Sequence, residues 1–185
     1  NEGYAIYRPR YILPDYNVYI KKGCEFLELP APKNLDEALD GLLILYSHVP
    51  SITTFPVYIG RLDMLLDPFI TDEEQDYIKI KRFLNHVDKT VPDSFCHANI
   101  GPYDTKAGRL ILKAVIELEA PTPNMTIRYD KSKTSREFAE LAAKACLLVS
   151  KPSFANDAYY ISDLGEQYGI ASCYNALPEC GGAYT

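Results

Sequence analysis

Short runs of β-branched and aromatic residues alternate along this chain with longer runs of helical period. Prolines and glycines separate them. Leu35, Ala38, Leu39, Leu42, Tyr46 and Val49 recur three and four apart, which predicts a helix that Pro50 ends. Residues 52–59 read as a strand, with Pro56 at an edge or bulge. A helical turn over 61–70 follows. Thr71 and Glu74 then form a capping box for a helix reaching about Lys89 on Tyr77, Ile78, Phe83, Leu84 and Val87. Residues 94–100 predict a second strand, stopped by Gly101-Pro102. Thr105 caps a helix to about Glu119, and residues 124–129 form a third strand. Thr134 and Glu137 make another capping box, for a helix to Ser150. An extended stretch follows through Phe154 to Ile161, and a turn of helix over 163–168 leads into the last segment. Strands that alternate with helices imply βαβ crossovers and a mainly parallel α/β sheet.

The organisation divides into an irregular, proline-punctuated arm over 1–33, a βα body over 34–167 and a terminal loop over 168–185. The arm holds one short helix around 16–27. The whole is one structural domain, since 185 residues suffice for one real core. No apolar run reaches the roughly 20 residues of a membrane helix, so no membrane span is expected. A net charge of -6 without a basic cluster argues against nucleic acid as a partner. Five cysteines, an odd number without tight pairing, predict reduced thiols and a cytoplasmic protein.

The terminal loop carries the chemistry. It reads Tyr168-Gly169-Ile170-Ala171-Ser172-Cys173-Tyr174-Asn175-Ala176-Leu177-Pro178, then Glu179-Cys180-Gly181-Gly182. Ser172 and Asn175 favour turns, Pro178 removes a donor, and the glycine pair permits positive φ. Small residues thus lead to one cysteine at a loop tip, where a cavity can meet it. A lone loop thiol is also the ordinary inert cysteine of a folded protein. Cys173 and Cys180 together make only half a zinc site.

The run Pro123-Asn124-Met125-Thr126-Ile127, followed by a helical stretch and then Tyr168-Gly169-Ile170-Ala171-Ser172-Cys173, resembles the glycyl radical enzymes, among them pyruvate formate-lyase and anaerobic ribonucleotide reductase. Three segments are similar to the YjjI-type group of that superfamily: Ser47-His48-Val49-Pro50-Ser51-Ile52-Thr53, Pro56-Val57-Tyr58-Ile59-Gly60-Arg61-Leu62-Asp63 and His97-Ala98-Asn99-Ile100-Gly101-Pro102. The likeness covers about 11–185. It implies half of a ten-stranded α/β barrel ending in a cysteine finger. It implies that Cys173 becomes a thiyl radical that takes hydrogen from a small organic substrate. No cofactor would be bound directly. The glycyl radical would be installed by an activating enzyme that uses S-adenosylmethionine and an iron–sulfur cluster.

Departures narrow that expectation. Where pyruvate formate-lyase has adjacent cysteines, Ser172 precedes Cys173. Where the diol dehydratases have a glutamate two residues after the cysteine, Asn175 stands, which is no base at neutral pH. None of the ten glycines sits in an Arg-Val-x-Gly-Tyr type motif, so the chain is expected to be an inactive fragment that needs the C-terminal part of the same polypeptide. A homodimer stays open as an assembly.

His97 and Asn99 share a strand face. In a barrel the end of that strand opens to the active site. With Asn175, Tyr58 and Arg128 they are the residues expected to contact substrate; His97 reads equally as a satisfied core histidine, and Arg128 more readily as a solvated or ion-paired arginine. Tyr58 and Arg61 flank Gly60 at a strand-to-helix turn, and Arg61 and Asp63 each need a partner elsewhere. Two rival functions stand beside the radical enzyme: a non-catalytic α/β binding or scaffold domain, and an α/β enzyme with a cysteine nucleophile. The latter needs a base beside Cys173.

Overall fold

The computed structural model describes residues 14–53, 57–90, 96–119, 123–165, 168–170 and 176–178; for 49–53 and 176–178 it describes the backbone alone. Helix α1 (Tyr16–Lys22) and a 3-10 turn (Glu25–Leu27) lead to helix α2 (Leu35–Thr53). Asn34 and Glu37 cap α2 reciprocally: Asn34 Oδ1 accepts from Glu37 N at 2.9 Å, and Asn34 Nδ2 donates to Glu37 Oε1 at 3.1 Å. Pro50 does not end α2, which runs on to Thr53. Proline removes one intrahelical bond, but its own φ is helical, so a final turn can follow. The strand expected from 52 therefore starts later, as β1 (Val57–Arg61).

Helix α3 (Leu62–Leu66) and a 3-10 turn (Asp67–Phe69) precede helix α4 (Glu73–Thr90). The box expected of Thr71 and Glu74 is replaced by two aspartates. Asp72 Oδ1 accepts from Glu74 N and Gln75 N, while Asp76 Oδ2 accepts from Thr71 N and Asp72 N at 2.8 and 2.9 Å. Carboxylates are the stronger acceptors at the positive end of a helix. Ile80 fills the inward position on α4, and Ile78 is 48% exposed.

Strand β2 (Cys96–Ile100), helix α5 (Lys106–Leu118) and strand β3 (Asn124–Tyr129) follow. Thr105 caps α5 as expected, through Gly108 N at 3.0 Å. In helix α6 (Arg136–Val149) the cap is Ser135, accepting from Phe138 N at 3.1 Å. Thr134 Oγ1 is occupied by Asp130 N at 3.0 Å, so the Thr134–Glu137 box does not form. Strand β4 is short (Ser153–Asn156). The expected extended run to Ile161 gives way to helix α7 (Asp157–Leu164), because Asn156 Oδ1 caps it by accepting from Tyr159 N. Of the helical turn expected over 163–168, 163 and 164 form the end of α7 and Tyr168 opens a strand, while 166 and 167 lie outside the described residues. Strands β5 (Tyr168–Ile170) and β6 (Ala176–Pro178) pair antiparallel, so the last segment is a hairpin in part and not wholly a loop.

Strands β1 to β4 form one parallel sheet in the order β1-β2-β3-β4. Sequential order with crossovers of one hand sends every connecting helix to the same face. Val57, Ile59, Cys96, Ala98, Ile100, Met125 and Ile127 supply that face and share one apolar core with the helices. Helix α1 joins the core through Tyr16 and Tyr19; the Tyr16 and Tyr46 rings stack at 6.0 Å. A fully buried aliphatic such as Leu42 contributes roughly 1.5–3 kcal/mol by leaving water. Among the described residues no helix is long and apolar enough to cross a membrane.

Candidate functional site: the polar face of the sheet

Strand side chains alternate with period two, so the residues between the core positions must share the opposite face. Those residues are Tyr58 on β1, His97 and Asn99 on β2, and Asn124, Thr126 and Arg128 on β3. All six are at most 6% exposed. A parallel sheet buried on both faces is usually apolar on both. Here one buried face is polar, and buried polar groups require partners.

The hairpin supplies several of them. Asn99 Nδ2 donates to the Ile170 carbonyl at 2.8 Å, and Ile170 N donates back to Asn99 Oδ1 at 2.9 Å. The Tyr58 hydroxyl donates to the same Oδ1 at 3.0 Å. The Tyr58 ring lies so close to Gly169 that a Cβ there would stand 2.5 Å from it. Arg128 Nε donates to Asp157 Oδ1 at 2.8 Å and its Nη1 donates to the Tyr168 carbonyl at 3.1 Å. Its guanidinium also lies 3.8 Å over the Tyr168 ring, and the Tyr168 hydroxyl donates to Asp157 Oδ1 at 2.6 Å. Tyr160 also stacks with that ring, at 5.4 Å between centroids.

Electrostatics follow these contacts. Burial pushes the Asp157 carboxyl up, but the hydrogen bonds from Tyr168 and Arg128 outweigh it and hold the group below the usual carboxylate range. Burial, and then donation to Asp157, push the Tyr168 hydroxyl well above an ordinary tyrosine. Asp157 is therefore an anion matched to Arg128 and also reached by Lys133 at 3.4 Å.

One shoulder of the sheet has its own clamp. β1 carries one more residue than β2 between the pairs Tyr58↔His97 and Arg61↔Asn99. Gly60, at φ +87, provides that bulge, which a residue with a side chain would adopt under strain. It turns Arg61 so that Nη2 donates to the Gly101 carbonyl at 3.1 Å. Asp63 Oδ2 accepts from Gly101 N at 2.8 Å. The two partners that Arg61 and Asp63 lacked in sequence are thus the two sides of one glycine. Burial raises the Asp63 carboxyl to about 6, against the bonds from Gly101 and Met64 and the charge of Arg61.

Of the residues expected to form the site, Tyr58, His97, Asn99 and Arg128 do share one face. Tyr58 and Asn99 touch, and Arg128 is ion-paired. Cys173 and Asn175, like Cys180, lie outside the described residues. Asp157 and Tyr168 were not expected in the site. The Asn156-Asp157 pair after a short strand is a helix-start signal that could have revealed Asp157. An open furrow lined by Tyr77, Leu110, Lys113, Ile116, Glu117 and Leu141 lies on the helical side. Glu117 there joins Tyr77 and Lys81, so it is a solvated seam between helices, away from the polar face.

Comparison with known proteins places this geometry in context. The family model described as "Glycyl radical enzyme YjjI-like" matches residues 1–185. An uncharacterized protein of Haemophilus influenzae is 94% identical over 184 residues, covering 100% of this chain and 36% of that protein. The uncharacterized protein YjjI of Escherichia coli is 48% identical over 187 residues, covering 100% of this chain and again 36% of the relative. The chain thus spans about a third of the length of these relatives.

Proposed function

The chain belongs to the YjjI-like glycyl radical enzyme family, and from that premise we propose that it is the part of an anaerobic radical enzyme that presents Cys173 to a small organic substrate. The observation that carries this reading is the hairpin. Ile170 pairs with Ala176, so five residues, 171–175, join β5 to β6, and Cys173 is the middle one. The strand that leads to it is fastened to a buried polar wall. The sequential parallel order, with its helices on one face, suits one arc of a barrel whose interior is that wall.

In this reading Cys173 gives its sulfur-bound hydrogen atom to a backbone glycyl radical carried elsewhere in the full polypeptide. Glycine is restored and the sulfur holds the unpaired electron. The thiyl then takes a hydrogen atom from a substrate C–H, which re-forms S–H and leaves a carbon radical. Ser172 stands where pyruvate formate-lyase holds a second thiol, and Asn175 where the diol dehydratases hold a carboxylate. Acyl transfer through a second thiol and base-assisted dehydration are therefore not the proposed reactions. His97 and Asn175 are proposed to meet the substrate, while Tyr58, Asn99 and Arg128 line the wall. A separate activating enzyme, using S-adenosylmethionine and an iron–sulfur cluster, would install the radical, in the cytoplasm.

The test needs no substrate. Thiol hydrogens exchange with solvent, so reversible transfer between Cys173 and the glycyl radical carries deuterium from D2O onto the glycine carbon. The α-hydrogen splitting of the paramagnetic resonance signal then collapses. Full-length activated protein is expected to show this collapse, and Cys173→Ala to keep the signal and its splitting. A collapse that persists in Cys173→Ala would remove Cys173 from the mechanism.

A further inference from the structure

We propose that Asn99 is a positioning residue for Cys173, acting through the backbone of Ile170. The inference rests on the radical reading above and assigns that site its anchor. Alternate residues of a strand direct their backbone groups to the same edge. Tyr168 and Ile170, two apart, turn one edge of β5 toward the sheet, and β6 pairs along β5 as its antiparallel partner. On the first edge the partners are side chains. Asn99 meets both the N–H and the carbonyl of Ile170, the pair of bonds a neighbouring strand would make. Arg128 meets the Tyr168 carbonyl.

The chemistry of the asparagine matters. One planar group must accept and donate side by side, with Oδ1 accepting from two donors at once and Nδ2 donating to a carbonyl. Aspartate is isosteric but has no donor while ionised, and it sets an anion against the Ile170 carbonyl. Asn99 is completely buried, so water cannot substitute for the lost bond. Tyr58 fixes the amide by its hydroxyl and presses its ring on Gly169, so β5 is held in height as well as in register. Ile170 is the last residue of β5 and stands three positions before Cys173. Hydrogen-atom transfer falls steeply with distance, and a shift of about 1 Å can cost on the order of 100-fold, so in this proposal the placement of Ile170 governs the transfer rate at the sulfur.

The experiment compares full-length activated protein with Asn99→Asp and Tyr58→Phe by the rate of deuterium entry at the glycyl radical. Asn99→Asp is expected to keep the radical amplitude at neutral pH yet exchange at least about tenfold slower. Burial at this position raises a carboxyl above the ordinary aspartate range, so as the pH is lowered its rate, relative to wild type at the same pH, is expected to recover, because a protonated carboxyl again offers one donor and one acceptor. Tyr58→Phe keeps the ring, and is expected to slow exchange by a smaller factor. Wild-type rates in both variants would overturn the role of Asn99. If Asn99→Asp yields no radical, Tyr58→Phe decides: slowed exchange upholds the anchor and a wild-type rate refutes it. Absence of exchange in the wild type would instead sink the reading of Cys173 itself.

Discussion

Arg128 and Asp157 show how a charge becomes tolerable inside this fold. Both side chains are at most 2% exposed, yet the guanidinium has a carboxylate, a backbone carbonyl and an aromatic face around it. Such a pair adds little net stability over an apolar pair of similar shape, but breaking it is costly, because the partner stays buried and charged. Asp157→Asn is expected to lower the stability of the full-length protein by about 3–5 kcal/mol. Urea titration against wild type measures it; a loss under about 1 kcal/mol would mean that Lys133 or water takes over. Hydrogen exchange gives an independent check on Asn99. The Ile170 amide, bonded to a side chain and not to a strand, is expected to be protected in the wild type and exposed in Asn99→Ala.

Two elements depend on a missing side chain. In α2, a Cβ at Gly41 would lie 1.6 Å from the Tyr19 hydroxyl, which donates to the Glu37 carbonyl at 3.0 Å. Replacing an interior helix glycine by alanine ordinarily gains about 1 kcal/mol. Here overpacking should win, and Gly41→Ala is expected to destabilise by roughly 1–3 kcal/mol, read as a lower melting temperature. A higher one would show that α1 moves away freely. On β5 the close approach of Gly169 to the Tyr58 ring predicts coupling. Gly169→Ala should cost less in a Tyr58→Leu background than alone, with an interaction energy of about 0.5–3 kcal/mol in a double-mutant cycle. Additive losses would mean that the hairpin does not rest on Tyr58.

The molecule as a whole has opposed acid responses. Asp76, Asp104, Asp130 and Asp157 are held below the ordinary carboxylate range. For Asp104 the main cause is the bond from Arg109, and for Asp130 the bond from the Ser132 hydroxyl. Groups of this kind stabilise above their unfolded value of about 3.9, and that share is lost as pH falls through their folded values. Asp63 has the opposite sign. Its folded value is raised to about 6, so its share is present below about pH 4 and is lost as pH climbs to about 6. Stability is thus expected to rise from about pH 2 to about 4 and to carry a falling component from about 4 to 6. Asp63→Asn should remove only the falling component. Carboxyl carbon-13 shifts provide the direct measurement, and a midpoint for Asp63 near 4 would refute it.

The alternation of apolar periods determined the parallel α/β order by itself, since each helix and strand shows its buried stripe in its own residues. It also placed His97 and Asn99 on one face of their strand, because period two is local; that Tyr58 and Arg128 share that face rests on the register of three strands. Ends were less legible: Pro50, Thr71, Thr134 and the run after Phe154 each misled where a neighbouring cap or a helix-compatible proline prevailed. Only tertiary structure decided what the polar face holds. Asn99, Arg128 and Arg61 bond to the backbone of Ile170, Tyr168 and Gly101, from 40 to 71 residues away along the chain. A peptide group is the same beneath every side chain, so no residue letter could announce those partners.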